Sequence, residues 1–189
     1  ALTHQLADDF VWQEAQNGFA ALIQSCDLDQ FIVLGHSVGG GMALGVAATY
    51  PKQCQAVISL SAQAAVETVT LDGIQAAKIN FQKPELYQRL AKYHAEKTQW
   101  VLDAWTETWL SPSFAHWNLD QVLARVHCPV QVIHGAEDEY ASLAQPERIA
   151  SQVQGHSELC ILNDCGHFPH QQKAADVVKM INRFIATQL

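Results

Sequence analysis

Apolar residues recur at helical spacing between positions 2 and 25, at Leu6, Phe10, Val11, Ala15, Phe19, Leu22 and Ile23. That periodicity predicts one long amphipathic helix. The polar stretch 27–30 turns the chain, and positions 31–34 (Phe-Ile-Val-Leu) follow without a polar break. A short, continuously apolar, β-branched run is the pattern of a strand buried on both faces of a parallel sheet. Positions 35–41 read as a tight connection, and a helix is expected from Met42 to about Thr49, where Pro51 stops it. The run 56–60 (Ala-Val-Ile-Ser-Leu) predicts the next strand.

From about 66 to 126 strand runs vanish and helical patterns dominate, with Pro84 and Pro112 near helix starts, where proline is tolerated. Trp100, Trp105, Trp109 and Trp117 all fall in this region. Strand character returns at 129–133, a helix at 146–153, a strand at 158–162 and a last helix at 171–187. Strands alternating with helices predict an α/β fold with a parallel sheet. Residues 1–65 and 127–189 form the sheet-bearing core in this reading, and 66–126 is a helical insertion.

Composition narrows the functional classes. The net charge of −8 opposes nucleic acid or an anionic membrane surface as partner, because both reward basic patches. No apolar run reaches the roughly 18 residues that a membrane-spanning helix needs. The cysteines at 26, 54, 128, 160 and 165 are odd in number and form no C-x-x-C pair. That argues against a metal site and fits a reduced, cytoplasmic compartment.

The segment Gly35-His36-Ser37-Val38-Gly39 carries the chemistry. It follows a strand run and opens a helix, the context in which G-x-S-x-G holds a nucleophilic serine on a sharp turn. Strand and helix nearly touch there, so side chains on either side of the serine would collide, and glycine removes the collision. Gly40 and Gly41 extend the close approach. A dinucleotide-binding turn would need G-x-G-x-x-G, which is absent.

The stretch from Phe31 to Gly40 resembles the nucleophile elbow of the α/β-hydrolase family, in its capped, esterase-like branch, and the resemblance extends over essentially the whole chain. It implies a triad in the chain order serine, acid, histidine. Ser37 is then the nucleophile. Asp138, in Ile133-His-Gly-Ala-Glu-Asp138 after a late strand, is the acid, with Glu137 and Glu139 as its neighbours. His167, in Asp164-Cys-Gly-His167 after the last strand, is the base. The loop after Leu60, Ser61-Ala-Gln63, holds no early acid that could compete. His36 is expected to point away from Ser37, and His134 and His170 to serve structure. Gln172 stands where many family members carry a glutamate, which leaves one local supporting hydrogen bond open and does not touch the triad.

The same resemblance makes the backbone N–H of Val38 an oxyanion donor. It makes 66–126 a cap, with Trp105 and Trp109, beside His36 and Phe168, as candidate substrate contacts. It implies a small carboxylic ester or thioester as substrate, no cofactor and no metal. A carbon–carbon bond hydrolase of ring-cleavage products is the enzymatic alternative, although those often carry tryptophan where Phe168 stands. A non-catalytic binding protein on the same fold is the alternative from another class. The resemblance also implies a preceding segment of the sheet, in the same or a separate chain, carrying the second oxyanion donor. The strand at Phe31 is accordingly expected to have an unpaired apolar edge.

Overall fold

The computed structural model describes residues 5–189. They fall into two compact units. One comprises Val11–Ala65 and Asn118–Leu189; the other comprises Val66–Trp117 with the described residues up to Phe10.

The first unit is built on a parallel sheet of β1 (Phe31–His36), β2 (Cys54–Leu60), β3 (Val130–Gly135) and β4 (Ser157–Leu162), in that spatial order. Each strand pairs in parallel with the next, through registers such as Gly35↔Ser59, Ser59↔Val132 and Ile133↔Cys160. Parallel neighbours require crossovers. Helix α3 (Val38–Thr49) returns the chain from β1 to β2, and α8 (Ala144–Gln152) returns it from β3 to β4. The α/β expectation therefore holds. One core cluster joins Ile58, Leu60, Ile133 and Leu162 on the sheet to Val177 of helix α10 (Ala174–Gln188), with Met180 and Ile181 against it.

Several boundaries depart from the sequence reading. Part of the helix expected over 2–25 lies outside the described residues. Of the remainder, residues 5–9 form bends, turns and irregular chain and the helix starts only at Phe10, as α1 (Phe10–Gln16) and α2 (Gly18–Cys26), kinked at Asn17. Asn17 still accepts from Ala21 N–H and donates to Gln13 O, so the ladder bends without parting. Asn-Gly in mid-helix is the weak point, since asparagine competes for backbone bonds and glycine resists confinement. Helix α3 begins at Val38, four residues before the expected start, because strand passes to helix through Ser37 alone. The last helix is likewise divided, into α9 (Pro169–Gln172) and α10, at Lys173.

Strand β1 is not buried on both faces. Val33 points inward at 7% exposure, while Ile32 and Leu34 stand 37% and 55% exposed. The cause is position. Among the described strands β1 lies at the edge and pairs only with β2. A continuous apolar run cannot reveal whether both faces of its strand have a neighbour.

The second unit contains α4 (Thr68–Asn80), α5 (Pro84–His94) and α6 (Thr98–Trp109). Helix α6 packs against both α4 and α5. Its aromatic centre is Phe114, fully buried among the rings of Phe10, Trp109 and Trp117. Residues 118–126 group with the sheet unit, so the compact helical segment ends at 117 rather than 126. The reason is local. Leu119 N–H donates to Ala64 O at 2.7 Å, Asn118 bridges Ala65, and α7 (Asp120–Leu123) packs on α3.

The β1–α3 junction sets the tightest steric demand. A β-carbon at Gly35 would lie 1.9 Å from Gly39 O, and one at Gly40 would lie 2.7 Å from the Ala62 Cβ. At Gly39 it would meet open space. Gly35→Ala is expected to destabilise the fold by about 3 kcal/mol or more, since a backbone atom cannot yield as a side chain does. Gly39→Ala should cost far less. Urea denaturation of the two variants tests this ranking; equal losses would show that the junction can open.

Candidate active site

Three loops leave the C-terminal ends of β1, β3 and β4 on one edge of the sheet, and each brings one side chain to a common point. Parallel strands deliver their following loops to the same edge, which is why ligand sites gather there in α/β sheets.

Ser37 comes directly off β1. Its backbone holds φ 56° and ψ −129°, a left-handed value that costs a non-glycine residue of order 1–3 kcal/mol. Two bonds secure it: Ser37 N–H donates to Leu60 O at 2.9 Å, and Gly40 N–H donates to Ser37 O at 2.9 Å. Asp138 follows β3 after Gly135, whose absent side chain lets the Cys165–Gly166 backbone approach closely. His167 follows β4 through the turn at Asp164.

These side chains form one hydrogen-bonded line. His167 Nε2 lies 2.9 Å from Ser37 Oγ, and His167 Nδ1 lies 2.8 Å from Asp138 Oδ2 and 3.0 Å from Oδ1. An ionised carboxylate can only accept, so the proton of the neutral imidazole sits on Nδ1 and Nε2 is free to accept from the serine hydroxyl. Asp138 and His167 are 8% and 4% exposed, so water competes little for these bonds. Glu137 is exposed, and its backbone N–H donates to Cys165 O at 2.9 Å. Glu139 reaches only the backbone, where its Oε2 accepts from His167 N–H at 3.2 Å.

The supporting bonds were mostly invisible in the sequence. Tyr140 N–H donates to Asp138 Oδ1 at 2.8 Å. His134, fully buried, sets Nε2 3.2 Å from Ala141 O and 3.5 Å from Asp138 Oδ2. Gln172 Oε1 accepts from Gly166 N–H at 2.6 Å, so glutamine supplies the local support that its place in the motif had left open. An amide oxygen accepts as a carboxylate does. Gln63 Oε1, from the loop after β2, lies 3.4 Å from Ser37 Oγ as a second, longer acceptor for the hydroxyl. One signal could have found Gln63: it stands just past a strand adjacent to the nucleophile strand.

His36 does not contact Ser37. Its Nε2–H donates to the carbonyl of His167 at 2.6 Å, and its ring packs with His167, Phe168 and His170. Phe168, 37% exposed, stands edge-on to His167. Val38, as first residue of α3, has no acceptor for its N–H within the helix. Trp105 and Trp109 are held by their own unit: Trp109 is buried against Phe114 and Trp117, and Trp105 is edge-on to Phe81. The Trp109 ring is thus occupied by packing rather than free to line a pocket. Among the described residues no cluster of metal-binding side chains occurs, and no helix is long and apolar enough to cross a membrane.

A sequence profile of the alpha/beta hydrolase family matches residues 2–180. The chain belongs to that family. It is 22% identical over 206 residues to an uncharacterized protein of Mycobacterium tuberculosis, covering 90% of this chain and 60% of that protein. The chain therefore spans about 60% of the length of the curated relatives it matches. Among solved structures it resembles a meta-cleavage product hydrolase from Pseudomonas fluorescens IP01, with a TM-score of 0.70 at 17% identity, over 99% of this chain and 74% of that one. It also resembles a thermophilic esterase from Thermogutta terrifontis, with a TM-score of 0.63 at 20% identity, over 94% and 72%. A third is a proline iminopeptidase of Mycobacterium smegmatis, with a TM-score of 0.67 at 16% identity, over 98% and 75%. At these identities the likeness is one of fold.

Burial holds the His36 imidazole below the ordinary histidine value of 6.5, outweighing its bond to the His167 carbonyl, which acts the other way. The unfolded chain therefore takes up this proton first as pH falls. The stability that His36 contributes is whole above about pH 6.5 and is lost as pH drops through its depressed folded value. His36→Gln should accordingly flatten part of the decline in melting temperature between about pH 7 and pH 5. Melting curves of wild type and variant that fall in parallel would contradict this.

Proposed function

We propose that the protein hydrolyses a small carboxylic ester or thioester through an acyl-enzyme on Ser37. The observation that carries this reading is the unbroken line from Ser37 Oγ through His167 to Asp138, at 2.9 Å and 2.8 Å, on a serine lifted from the sheet by a left-handed φ of 56°.

The geometry suits one sequence of steps. A serine hydroxyl is a weak nucleophile at neutral pH until a base removes its proton. His167 Nε2 takes that proton while Oγ attacks the substrate carbonyl. Asp138 holds the imidazole in the required tautomer and stabilises the imidazolium that forms. Negative charge develops on the carbonyl oxygen, where the N–H of Val38, unclaimed within its helix, is a donor. His167 then protonates the departing alcohol or thiol. Water, activated by the same imidazole, attacks the acyl group and restores Ser37.

The supporting contacts fit these roles. Tyr140 N–H donates to the carboxylate, His134 bonds the neighbouring Ala141 carbonyl, and Glu139, Gln172 and His36 hold the histidine loop through its backbone. The line is therefore preassembled, so little reorganisation is needed at the moment of reaction.

A fluorophosphonate probe should label Ser37, and the label should disappear in Ser37→Ala. Ser37→Ala and His167→Ala should each lower ester turnover by about 10⁴-fold or more, and the double variant should lose little beyond either single one, because the residues act as a unit. Asp138→Asn should cost about 10⁴-fold with the fold intact. A panel of short esters, acyl thioesters and dienone acids is the accompanying assay. Turnover of dienone acids without turnover of esters would replace the ester reading. Probe labelling at some other residue, with Ser37→Ala fully active, would overturn the assignment.

A further inference from the structure

Two cysteines that the proposed chemistry does not use lie together on the opposite edge of the sheet. Cys54 is the first residue of β2, and Cys128 stands two residues before β3. These strands are parallel neighbours, with Val57 paired to Val130. Val57 N–H also donates to Pro129 O, so the pairing continues back toward the N-terminal ends. The side chains of Cys54 and Cys128 face each other, and their sulfurs are 3.9 Å apart. Both thiols are free.

We propose that Cys54 and Cys128 form a redox pair that closes reversibly into a disulfide under peroxide. The sulfurs must approach from 3.9 Å to about 2.05 Å, which side-chain rotation and a small strand adjustment can supply when the backbones are neighbours. The surroundings divide the roles. Cys54 is 2% exposed, and its bond to Cys128 and its burial push its thiol well up. Cys128 is half-buried, so its sulfur is the more accessible of the two. Peroxide therefore reaches the Cys128 sulfur before that of the buried Cys54, and Cys54 stands beside it as the resolving thiol.

The step balances. The Cys128 thiolate attacks one oxygen of hydrogen peroxide and the O–O bond breaks. Cys128 becomes a sulfenic acid, and the released hydroxide takes a proton to become water. Cys54, deprotonated as it reacts, attacks the Cys128 sulfur. The S–S bond forms, the S–O bond breaks, and the oxygen leaves as a second water. Overall two thiols are oxidised by two electrons and one peroxide is reduced to two waters. A dithiol reductant reverses the change.

The bridge would join the N-terminal ends of two core strands. It would also close a loop that contains the whole segment Val66–Trp117 of the helical unit. Such a link acts mainly by restricting the unfolded chain. It lies at the strand ends remote from Ser37, Asp138 and His167, so its readouts are independent of ester turnover and stand or fall apart from the proposed function.

The test is a non-reducing peptide map of the protein before and after graded hydrogen peroxide, with melting temperature measured on the same samples. The expected result is a cross-linked peptide pair carrying Cys54 and Cys128, reversed by dithiothreitol. The oxidised form should melt roughly 5–10 °C higher. In the reduced protein, iodoacetamide should alkylate Cys128 before Cys54. Cys128→Ser should abolish both the linked peptide and the shift, and serves if the buried Cys54→Ala fails to fold. Oxidation of Cys128 to sulfinic acid with Cys54 still free would overturn the proposal. So would a bridge through the exposed Cys26 in place of the 54–128 link, or a linked peptide with no change in melting temperature.

Discussion

The passage from β1 to α3 leaves no room for a β-carbon at Gly35, which would lie 1.9 Å from the Gly39 carbonyl oxygen. Glycine there permits strand to pass to helix through a single residue, and Ser37 absorbs the turn with a left-handed backbone. Strain of this kind persists only when neighbours over-determine it. Here they are the bonds to Leu60 O and from Gly40 N–H, together with the close seat of Gly40 against Ala62. The loop after β2 thus helps to hold the turn after β1, and the same loop carries Gln63 toward the Ser37 hydroxyl. The position of the nucleophile candidate therefore depends on the pairing of two strands as much as on its own motif.

A second close approach serves the other half of the site. A β-carbon at Gly135 would lie 2.3 Å from both Cys165 O and Gly166 O. The loops after β3 and β4 are pressed together there, which puts Asp138 and His167 within one hydrogen bond of each other. Glu137 N–H to Cys165 O, Glu139 to His167 N–H and Gln172 to Gly166 N–H stitch the contact. The Glu139 carboxylate accepts from the His167 backbone N–H and not from its imidazole. What sets Asp138 apart from its acidic neighbours is the turn that aims its carboxylate at His167 Nδ1, and the Tyr140 N–H that donates to its Oδ1.

The two edges of the sheet carry different chemistry for a geometric reason. In a parallel sheet all C-terminal strand ends lie together, so Ser37, Gln63, Asp138 and His167 converge there although they are spread over 131 positions of the sequence, from 37 to 167. All N-terminal ends lie together as well, which brings Cys54 and Cys128 to 3.9 Å across a 73-residue interval. Neither meeting follows from nearness in sequence. Both follow from the single strand order β1-β2-β3-β4.

The sequence by itself determined the elements and the types of chemistry. Alternating apolar runs and helical periodicities gave the parallel sheet. The glycines around Ser37 marked a tight strand-to-helix turn, because hydrophobic periodicity and turn chemistry are local properties, legible in a window of a dozen residues. Asp138 and His167 were candidates only through the resemblance to the α/β-hydrolase family. Tertiary structure alone decided the rest. It exposed Ile32 and Leu34, because an apolar run does not say whether its strand has neighbours on both faces. It spent Trp109 on Phe114 and Trp117, because helical spacing does not say what a face will meet. It gave Gln172 and His36 their bonds to the histidine loop, and brought Gln63 to Ser37 and Cys54 to Cys128. Those contacts join residues far apart in the chain, and only the pairing and order of the strands brings them within reach.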